Sequence, residues 1–367
     1  MPETATTIKE LTLQSSYDVL GAEWTNRHGW RLPLHYGDPS GEFDAAQNKC
    51  IIIDKSYYGR INVSGGTAQD FLHRMTSAPV NDLENLQGME TVITTAEGRF
   101  VDWVTVYKPH DDHLTLVTGP DSAEHIIEHL EGYIFFKEDV EFDNTGDSWS
   151  LLQVSGPEAE DLISKGCSED IADAELYAMH PAEIVGEKIY IAKVNDITGN
   201  DYHIFCPQEI AEQVWEKLAS AGISWQPMGV KAYEYARIVS GIPQYPNEIT
   251  DEYTLVEAHL ETPLDLNSCF AGQEVIARTI NYDKIKQHLC HIEIAGDPPD
   301  DNAPPFDITN GERPVGTITS LARNLSGNGY AALGYVKTRY LEFPMDMIIE
   351  AAGQNITGKI TGKTQPR

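Results

Sequence analysis

An α+β fold is predicted: two similar strand–helix–strand–strand–helix units, followed by a small all-β domain. Three observations carry that expectation. First, V-S-G-G-T-A-Q-D-F-L at residues 63–72 returns as V-S-G-P-E-A-E-D-L-I at residues 154–163, with Val, Ser, Gly, Ala and Asp in the same places 91 positions later. Second, runs that alternate polar and apolar, as half-buried strands do, give way to helical spacing within each copy. Third, from about Lys286 onward helical spacing disappears, and strand-like runs are separated by Gly, Pro and Asp. The expected division is therefore 1–285 for the duplicated region and 286–367 for a β-barrel or sandwich.

Taken in order, residues 1–50 read as a helix, a loop and a second helix. Within them GWRLPLHYGD, residues 29–38, carries Pro33 and Gly37 and reads as turn rather than as a periodic element. RINVS (60–64) alternates as a strand. After Gly65-Gly66, Ala68, Phe71, Leu72 and Met75 fall at i, i+3, i+4 and i+7 of a helix. Residues 91–95 and 100–107 are strand-like and joined by Ala96-Glu97-Gly98-Arg99, a hairpin signal. A third strand at 113–118 leads to a helix faced by Ala123, Ile126, Ile127 and Leu130. The second copy repeats this order: LTLVTGP (114–120) and its helix are echoed by YHIFCP (202–207) and a helix at 210–218. A last helix at 228–239 ends at Ser240-Gly241 and Pro243. Beyond it come the strand-like runs HIEI, GTITSLA, GYAALGYV and ITGKITG, with a Pro- and Asp-rich loop at 297–305.

Composition limits the function classes. Twenty-six Lys and Arg against 57 Asp and Glu give a net charge of −31 over 367 residues. A nucleic-acid surface needs clustered cations, so nucleic acid is excluded as a partner, as is an anionic membrane. The surplus suits a solvated, self-repelling surface or a salt-rich cytoplasm. Five cysteines at 50, 167, 206, 269 and 290 include no C-x-x-C pair. Neither a disulfide framework nor a zinc site is expected, and a reducing cytoplasm fits. The stretch MPETATTIKELTLQ has no charged-then-apolar signal pattern, and no apolar run reaches the length of a membrane span.

The chemically suggestive stretch is LNSCFAGQEVIAR, residues 266–278. Gly272 marks a helix start opened by Gln273 and Glu274. A thiol just upstream of the unpaired N–H groups at such a terminus can be held as thiolate. A free cysteine is also commonly a small buried hydrophobe, and the local residues leave both readings of Cys269 open. N-S-C-F-A-G-Q-E resembles the K-G-C-Y-x-G-Q-E signature of the YgfZ branch of the GcvT/YgfZ folate-binding superfamily. Cys269, Gly272, Gln273 and Glu274 match, whereas Asn267, Ser268 and Phe270 replace Lys, Gly and Tyr. The segment DKSYYGRINVSGGTAQDFLHRMTS is similar to the superfamily's D-x-S-x-x-G-x-[IL]-x-V-x-G segment through Asp54, Ser56, Gly59, Val63, Gly65 and Phe71. VGTITSLARNLSGNGYAALGYVK resembles its barrel segment, so the resemblance covers nearly the whole chain.

The resemblance implies a GcvT-like fold and a tetrahydrofolate ligand, and it directs attention to three further positions. Asp102 lies within an apolar strand pattern, where a carboxylate needs a partner. It stands in the hairpin that carries an Asp-Asp pair in aminomethyltransferases, with Trp103 in the second place. A bond to a neighbouring backbone N–H or an Arg is its structural alternative. T-G-N-D-Y-H (198–203) is one residue shorter than the superfamily's T-G-E-x-G-[YF]-E and places His203 where a Glu meets the donor edge of the pterin. Histidine offers at most one acceptor there, against two from a carboxylate. Asp201 replaces that Glu only by a register slip, which would turn it to the other face. Arg237, in AYEYARIVSGIP, matches an arginine implied to meet an anionic substrate or tail; three residues after Glu234, it reads equally as a surface ion pair.

Three features read as structural. Pro109-His110-Asp111-Asp112-His113 looks metal-binding but falls between strands, where polar turn residues belong. Gly65-Gly66 is a strand-to-helix break that could face an anion. Arg278, Lys284, Lys286 and His288 form a basic cluster suited to an anionic tail or to charge balance. No metal is expected. The leading expectation is a YgfZ-like, tetrahydrofolate-binding protein that supports maturation or repair of iron–sulfur proteins. In it Cys269 is the active thiol, Asp102, His203 and Arg237 bind the folate, and Gln273 and Glu274 fix the thiol loop. The alternative is a tetrahydrofolate-dependent aminomethyl or methyl transferase in which Asp102 acts as proton handler. A third class keeps the fold for another flat ligand.

Overall fold

Asp102, His203, Arg237 and Cys269 all fall within the part of the chain that the computed structural model describes: residues 8–296, 304–310, 313–351 and 354–367. In chain order the elements are β1 (Lys9–Glu10), α1 (Gln14–Val19), β2 (Glu23–Arg27), β3 (Trp30–His35), α2 (Pro39–Asn48), β4 (Ile51–Asp54), β5 (Tyr58–Ser64), α3 (Ala68–Met75), β6 (Gln87–Thr94), β7 (Phe100–His110), β8 (His113–Pro120), α4 (Ala123–Glu131), β9 (Glu141–Asn144), β10 (Trp149–Ser155), α5 (Ala159–Cys167), β11 (Met179–Ile184), β12 (Glu187–Val194), β13 (Asp201–Pro207), α6 (Ala211–Ala219), β14 (Gln226–Pro227), α7 (Val230–Val239), α8 (Gln273–Asn281), β15 (Gln287–Ile294), β16 (Phe306–Thr309), β17 (Pro314–Arg323), β18 (Tyr330–Lys337), β19 (Met345–Ala351) and β20 (Gln354–Lys363). They build a three-stranded sheet (β1-β3-β2), a five-stranded sheet (β6-β7-β8-β5-β9), a six-stranded sheet (β11-β12-β13-β10-β4-β14) and a closed barrel (β15-β18-β17-β16-β19-β20). Most of the 297–305 loop lies outside the described residues, as do residues 1–7 of MPETATTIKELTLQ. Among the described residues no helix is long and apolar enough to cross a membrane.

The chain divides into two units. The first comprises residues 1–68, 83–88 and 105–233; the second comprises 69–82, 89–104 and 234–367. In the first, the six-stranded sheet sorts its side chains by the two-residue period. Ile52, Leu152, Val154, Ile191, Tyr202 and Ile204 share an apolar core with Leu162, Ile163, Val214 and Leu218 of α5 and α6. On the opposite face Leu151, Tyr190, Ala192 and Phe205 pack with Tyr107, Val117 and Met179. The second unit holds the barrel core, with Ile292, Ile308, Ile318, Val336 and Ile349. A further core there centres on Tyr253 and Tyr335, whose rings stack at 3.6 Å between centroids.

The repeat marks a recurring turn. Gly65 (φ +114°) and Gly156 (φ +117°) occupy the same place in their copies, each between a strand and a helix. A Cβ on Gly65 would sit 2.2 Å from the Asp139 carbonyl oxygen, and one on Gly156 2.5 Å from that of Lys49. Both the dihedral and the close backbone approach require glycine. The Gly66 N–H donates to Asp139 Oδ2 at 2.9 Å, so the anion facing this turn is the chain's own carboxylate.

Two readings of the sequence are corrected. Residues 29–38 were expected as turn, within a helix–loop–helix start. They contain β3, the central strand of the three-stranded sheet. Pro33 is tolerated because only Trp30 and Arg31 pair with β1, leaving one edge open beyond them. In the barrel, β16 and β19 were not anticipated. Each begins directly after a proline, Pro305 and Pro344, and proline reads as a break in a sequence pattern.

Candidate functional site

In the first unit the apolar face beside Phe205 turns polar one step along the strand. Adjacent strands place Ile53, Gln153, His203 and Ala192 in one row: Gln153 pairs with Ile53 and His203, and His203 with Ala192. Lys55 follows Ile53 by two residues and so shares its face. Its ammonium lies 2.6 Å from Asp196 Oδ2 and donates to Tyr233 Oη at 2.7 Å, with its side chain only 4% exposed. It also lies over the rings of Tyr233 and Tyr58, at 4.3 and 4.7 Å from their centroids. Burial pushes the Lys55 pKa down, but Asp196 and Tyr58 outweigh it and hold the ammonium above its ordinary value. This buried charge is paired, as it must be to persist.

His203 is 8% exposed, and neither ring nitrogen has a hydrogen-bond partner. Burial, with the Lys55 charge second, pushes its pKa down to about 3. At neutral pH it is therefore an uncharged imidazole with one donor and one acceptor unused. Asp201 shares its face, being two residues away on β13, which corrects the expectation that it would point elsewhere. Its carboxylate accepts from the backbone N–H groups of Asp196 (3.1 Å), Thr198 (3.2 Å) and Gly199 (2.8 Å) and from Thr198 Oγ1 (2.9 Å). It closes the T-G-N turn. Burial, then the neighbouring Asp196 charge, raises its pKa.

The motif residues Asp54 and Ser56 form a structural corner in the same unit. Tyr17 Oη donates to Asp54 Oδ2 at 2.8 Å, and the Ser56 N–H donates to Oδ1 at 2.8 Å. A Cβ on Gly59 would come within 2.1 Å of Thr118 Oγ1. The look-alike metal motif is the β7–β8 turn: Asp111 and Asp112 form it, and the His110 and His113 rings lie 4.4 Å apart. Among the described residues no group of three His, Cys, Asp or Glu is arranged to hold a metal ion.

The second unit holds the other expected site residues. Asp102 is 1% exposed on β7, and its Oδ1 accepts the Trp103 N–H at 2.8 Å. Arg237 is fully buried on α7, which corrects the surface-ion-pair reading. Its guanidinium donates to Glu248 Oε2 (3.0 Å), the Ile242 carbonyl (3.1 Å), Ser320 Oγ (2.6 Å) and Glu234 Oε1. Glu248 in turn accepts from Thr319 Oγ1 at 2.6 Å and from the Gln244 N–H at 3.1 Å. The four hydrogens on the two terminal nitrogens of Arg237 are thus spent inside the fold. Cys269 is exposed, whereas the other four cysteines are buried. Gly272, at φ +80°, caps α8. Gln273 Nε2 donates to the Leu266 carbonyl at 2.8 Å and ties the thiol loop to its helix. Glu274 instead forms an exposed pair with Arg278, at 2.6 Å. His288 is not part of the basic surface cluster: it is 6% exposed, its Nδ1 2.9 Å from His259 Nε2 and its Nε2 3.0 Å from Lys363 Nζ.

Lys55, Asp196, Tyr233 and Gln153 were not singled out from the sequence. One signal was available: a lysine two residues beyond the apolar run Ile51-Ile52-Ile53, and so on the face of Ile53, must find a partner if buried. Its partners, Asp196 and Tyr233, lie 141 and 178 residues away in sequence.

Comparison with known proteins adds three findings. The model of the GCVT N-terminal domain matches residues 13–268. A chloroplastic protein of Arabidopsis thaliana, described as a putative transferase, is 31% identical over 324 residues, 87% of this chain and 72% of that protein. The crystal structure of glycine cleavage system aminomethyltransferase T from Bartonella henselae superposes with a TM-score of 0.84. It shares 19% identity, covering 98% of this chain and 99% of that one, and shows a common fold.

Proposed function

Because this chain belongs to the GCVT N-terminal domain family of the GcvT/YgfZ folate-binding superfamily, whose members bind tetrahydrofolate, we propose that it binds a folate and acts as a YgfZ-like accessory to iron–sulfur proteins. The observation that carries the folate reading is His203: buried, uncharged, and with both ring nitrogens unpartnered. A buried polar group without a partner is costly, and a ligand that meets it removes the cost. The residues fit a flat, hydrogen-bonding heterocycle. His203 would take one N–H of a pterin, and the Lys55–Asp196–Tyr233 cluster would hold the surrounding wall rigid. A bound folate supplies a one-carbon carrier. The chain's own contribution to the accessory role is Cys269, the one exposed thiol, in a loop tied down by Gln273. Five free cysteines accord with a reducing compartment such as the cytoplasm.

The test is titration calorimetry of the full chain with tetrahydrofolate and with 5-formyltetrahydrofolate. Binding at micromolar strength or better is expected; a folded protein that binds neither refutes the folate reading. For the accessory role, Cys269→Ser is expected to fail to restore iron–sulfur enzyme activity in a strain lacking the gene, and full rescue removes the thiol from the mechanism.

A second reading is a tetrahydrofolate-dependent aminomethyl or methyl transferase. The burial of Asp102 and the description of the Arabidopsis relative favour it. Asp102 would accept or return the proton at the reacting amine. Arg237, spent on Glu234 and Glu248, is not assigned a substrate carboxylate. Methyl or aminomethyl transfer to tetrahydrofolate across a panel of amine and sulfonium donors, abolished in Asp102→Asn, is the expected outcome; no transfer from any donor rejects this reading.

A further inference from the structure

Gln153 is fully buried, and its Oε1 has no hydrogen-bond partner. It stands directly across the β10–β13 ladder from His203, on the same face of the sheet. The orientation of its amide follows from its neighbours. Gln153 Nε2 donates to Ser155 Oγ at 2.9 Å, and the Ser155 hydroxyl is itself hydrogen-bonded to the Asp201 carboxylate. An ionised carboxylate only accepts, so the Ser155 proton goes to Asp201 and the Ser155 oxygen must accept from Gln153. The amide oxygen is thereby left free. Two facing residues on neighbouring strands thus present an amide oxygen and an imidazole nitrogen, both buried and both unused.

Resting on the folate reading above, we propose that Gln153 is a second ligand-recognition residue. Gln153 Oε1 receives the 2-amino donor, and the acceptor nitrogen of His203 the adjacent ring N–H, of a 2-amino-4-oxopyrimidine edge. A single carboxylate would supply both acceptors, but here it would be a third acid beside Asp196 and Asp201, and burial followed by the Asp196 charge already raises Asp201. Dividing the two acceptors between an amide and a neutral imidazole meets the same donor pair without adding charge.

The experiment is titration calorimetry with 5-formyltetrahydrofolate and with its 2-desamino-2-methyl analogue, on wild type, Gln153→Met and Gln153→Glu. Wild type is expected to bind the parent about tenfold more tightly than the analogue, the value of one well-made hydrogen bond to a donor otherwise left unpaired. Gln153→Met is expected to lose that tenfold for the parent and to bind the analogue as wild type does. Gln153→Glu keeps an acceptor and is expected to retain the discrimination. Equal affinity of wild type for parent and analogue overturns the proposal even if a variant fails to fold, as does Gln153→Met weakening both ligands alike or neither. Failure of wild type to bind the parent at all refutes the folate reading instead, so the two failures are distinguishable.

Discussion

Replacing Arg237 by Met should remove a large part of the stability of the second unit. Both Arg237 and Glu248 are fully buried, so their attraction is not diluted by water. The guanidinium has four acceptors, and Glu248 is held besides by Thr319 and Gln244. Met fills similar volume but leaves the Glu248 carboxylate buried with two neutral donors and no counter-charge. Breaking a buried pair by removing one partner costs roughly 3–5 kcal/mol. Against a typical total of about 5–15 kcal/mol for a domain, that is a substantial fraction. An exposed i,i+3 pair with Glu234 would instead be worth at most about 1 kcal/mol. The double change Arg237→Met with Glu248→Gln removes both charges while the amide oxygen can still accept from Thr319 or Gln244, so it should recover much of the loss. The assay is urea unfolding followed by near-ultraviolet circular dichroism, with hydrogen exchange of the β17 and β18 amides to isolate the second unit. A loss below about 1 kcal/mol in the single variant, or a double variant as damaged as the single one, would refute the reasoning.

Three further outcomes are expected. Gly59→Ala should destabilise by about 1–3 kcal/mol or more, because its Cβ would meet Thr118 Oγ1 at 2.1 Å and Ala123 Cβ at 2.9 Å; a thermal melt checks it. His203 titrates near 3 in the folded chain against an ordinary 6.5, so the unfolded chain takes up its proton first. The contribution of neutral His203 to stability is full above about pH 6.5 and declines as pH falls toward 3, by about 1.4 kcal/mol per pH unit. Urea midpoints at pH 7, 6 and 5 should therefore fall less steeply for His203→Gln than for wild type, and identical slopes would contradict the buried, neutral assignment. With one exposed and four buried cysteines, a thiol reagent should label Cys269 alone in the native protein and all five once it is denatured. Rapid labelling of a second cysteine under native conditions would count against the described burial.

Local periodicity made much of the fold legible. Ala68, Phe71, Leu72 and Met75 are all buried on α3, as their spacing required. The two V-S-G segments mark equivalent turns because the backbone itself demands glycine there. What stayed hidden depends on tertiary context. Pro33 reads as a breaker unless one knows that the strand edge beside it is open. Arg237 and Glu234 look like an ordinary surface pair, since nothing near them in sequence reveals that Glu248 and Ser320 enclose the guanidinium. In the candidate site, a resemblance brought His203 into view, whereas the exposure of Cys269 between buried Ser268 and Phe270 was not legible from its neighbours. Lys55 and Gln153 escaped notice because their significance lies in partners, or in the lack of them, brought together from distant segments.

The duplication supplies an internal comparison for the most unusual feature of the first unit. Ninety-one positions before Gln153 stands Asn62, which pairs across β5 and β8 with Thr115 as Gln153 pairs with His203 across β10 and β13. Both ladders thus carry a polar cross-strand pair at the same point before their V-S-G turn. In the first copy the pair is half-buried and lines a cavity of about 400 Å³, together with Trp149, Tyr190 and Phe205. Water can satisfy polar groups in such a place, and the pair carries little cost. In the second copy the pair is buried, and three of its polar atoms have no partner. The same ladder geometry in one chain therefore accepts an open polar pair and a closed one, and only the closed one carries an unmet desolvation cost. An apolar pair at 153 and 203 would fit a sheet face that already holds Leu151, Tyr190, Ala192 and Phe205, and would avoid that cost. Stability alone gives no reason to keep Gln153 and His203 there; the ligand recognition proposed above would supply one.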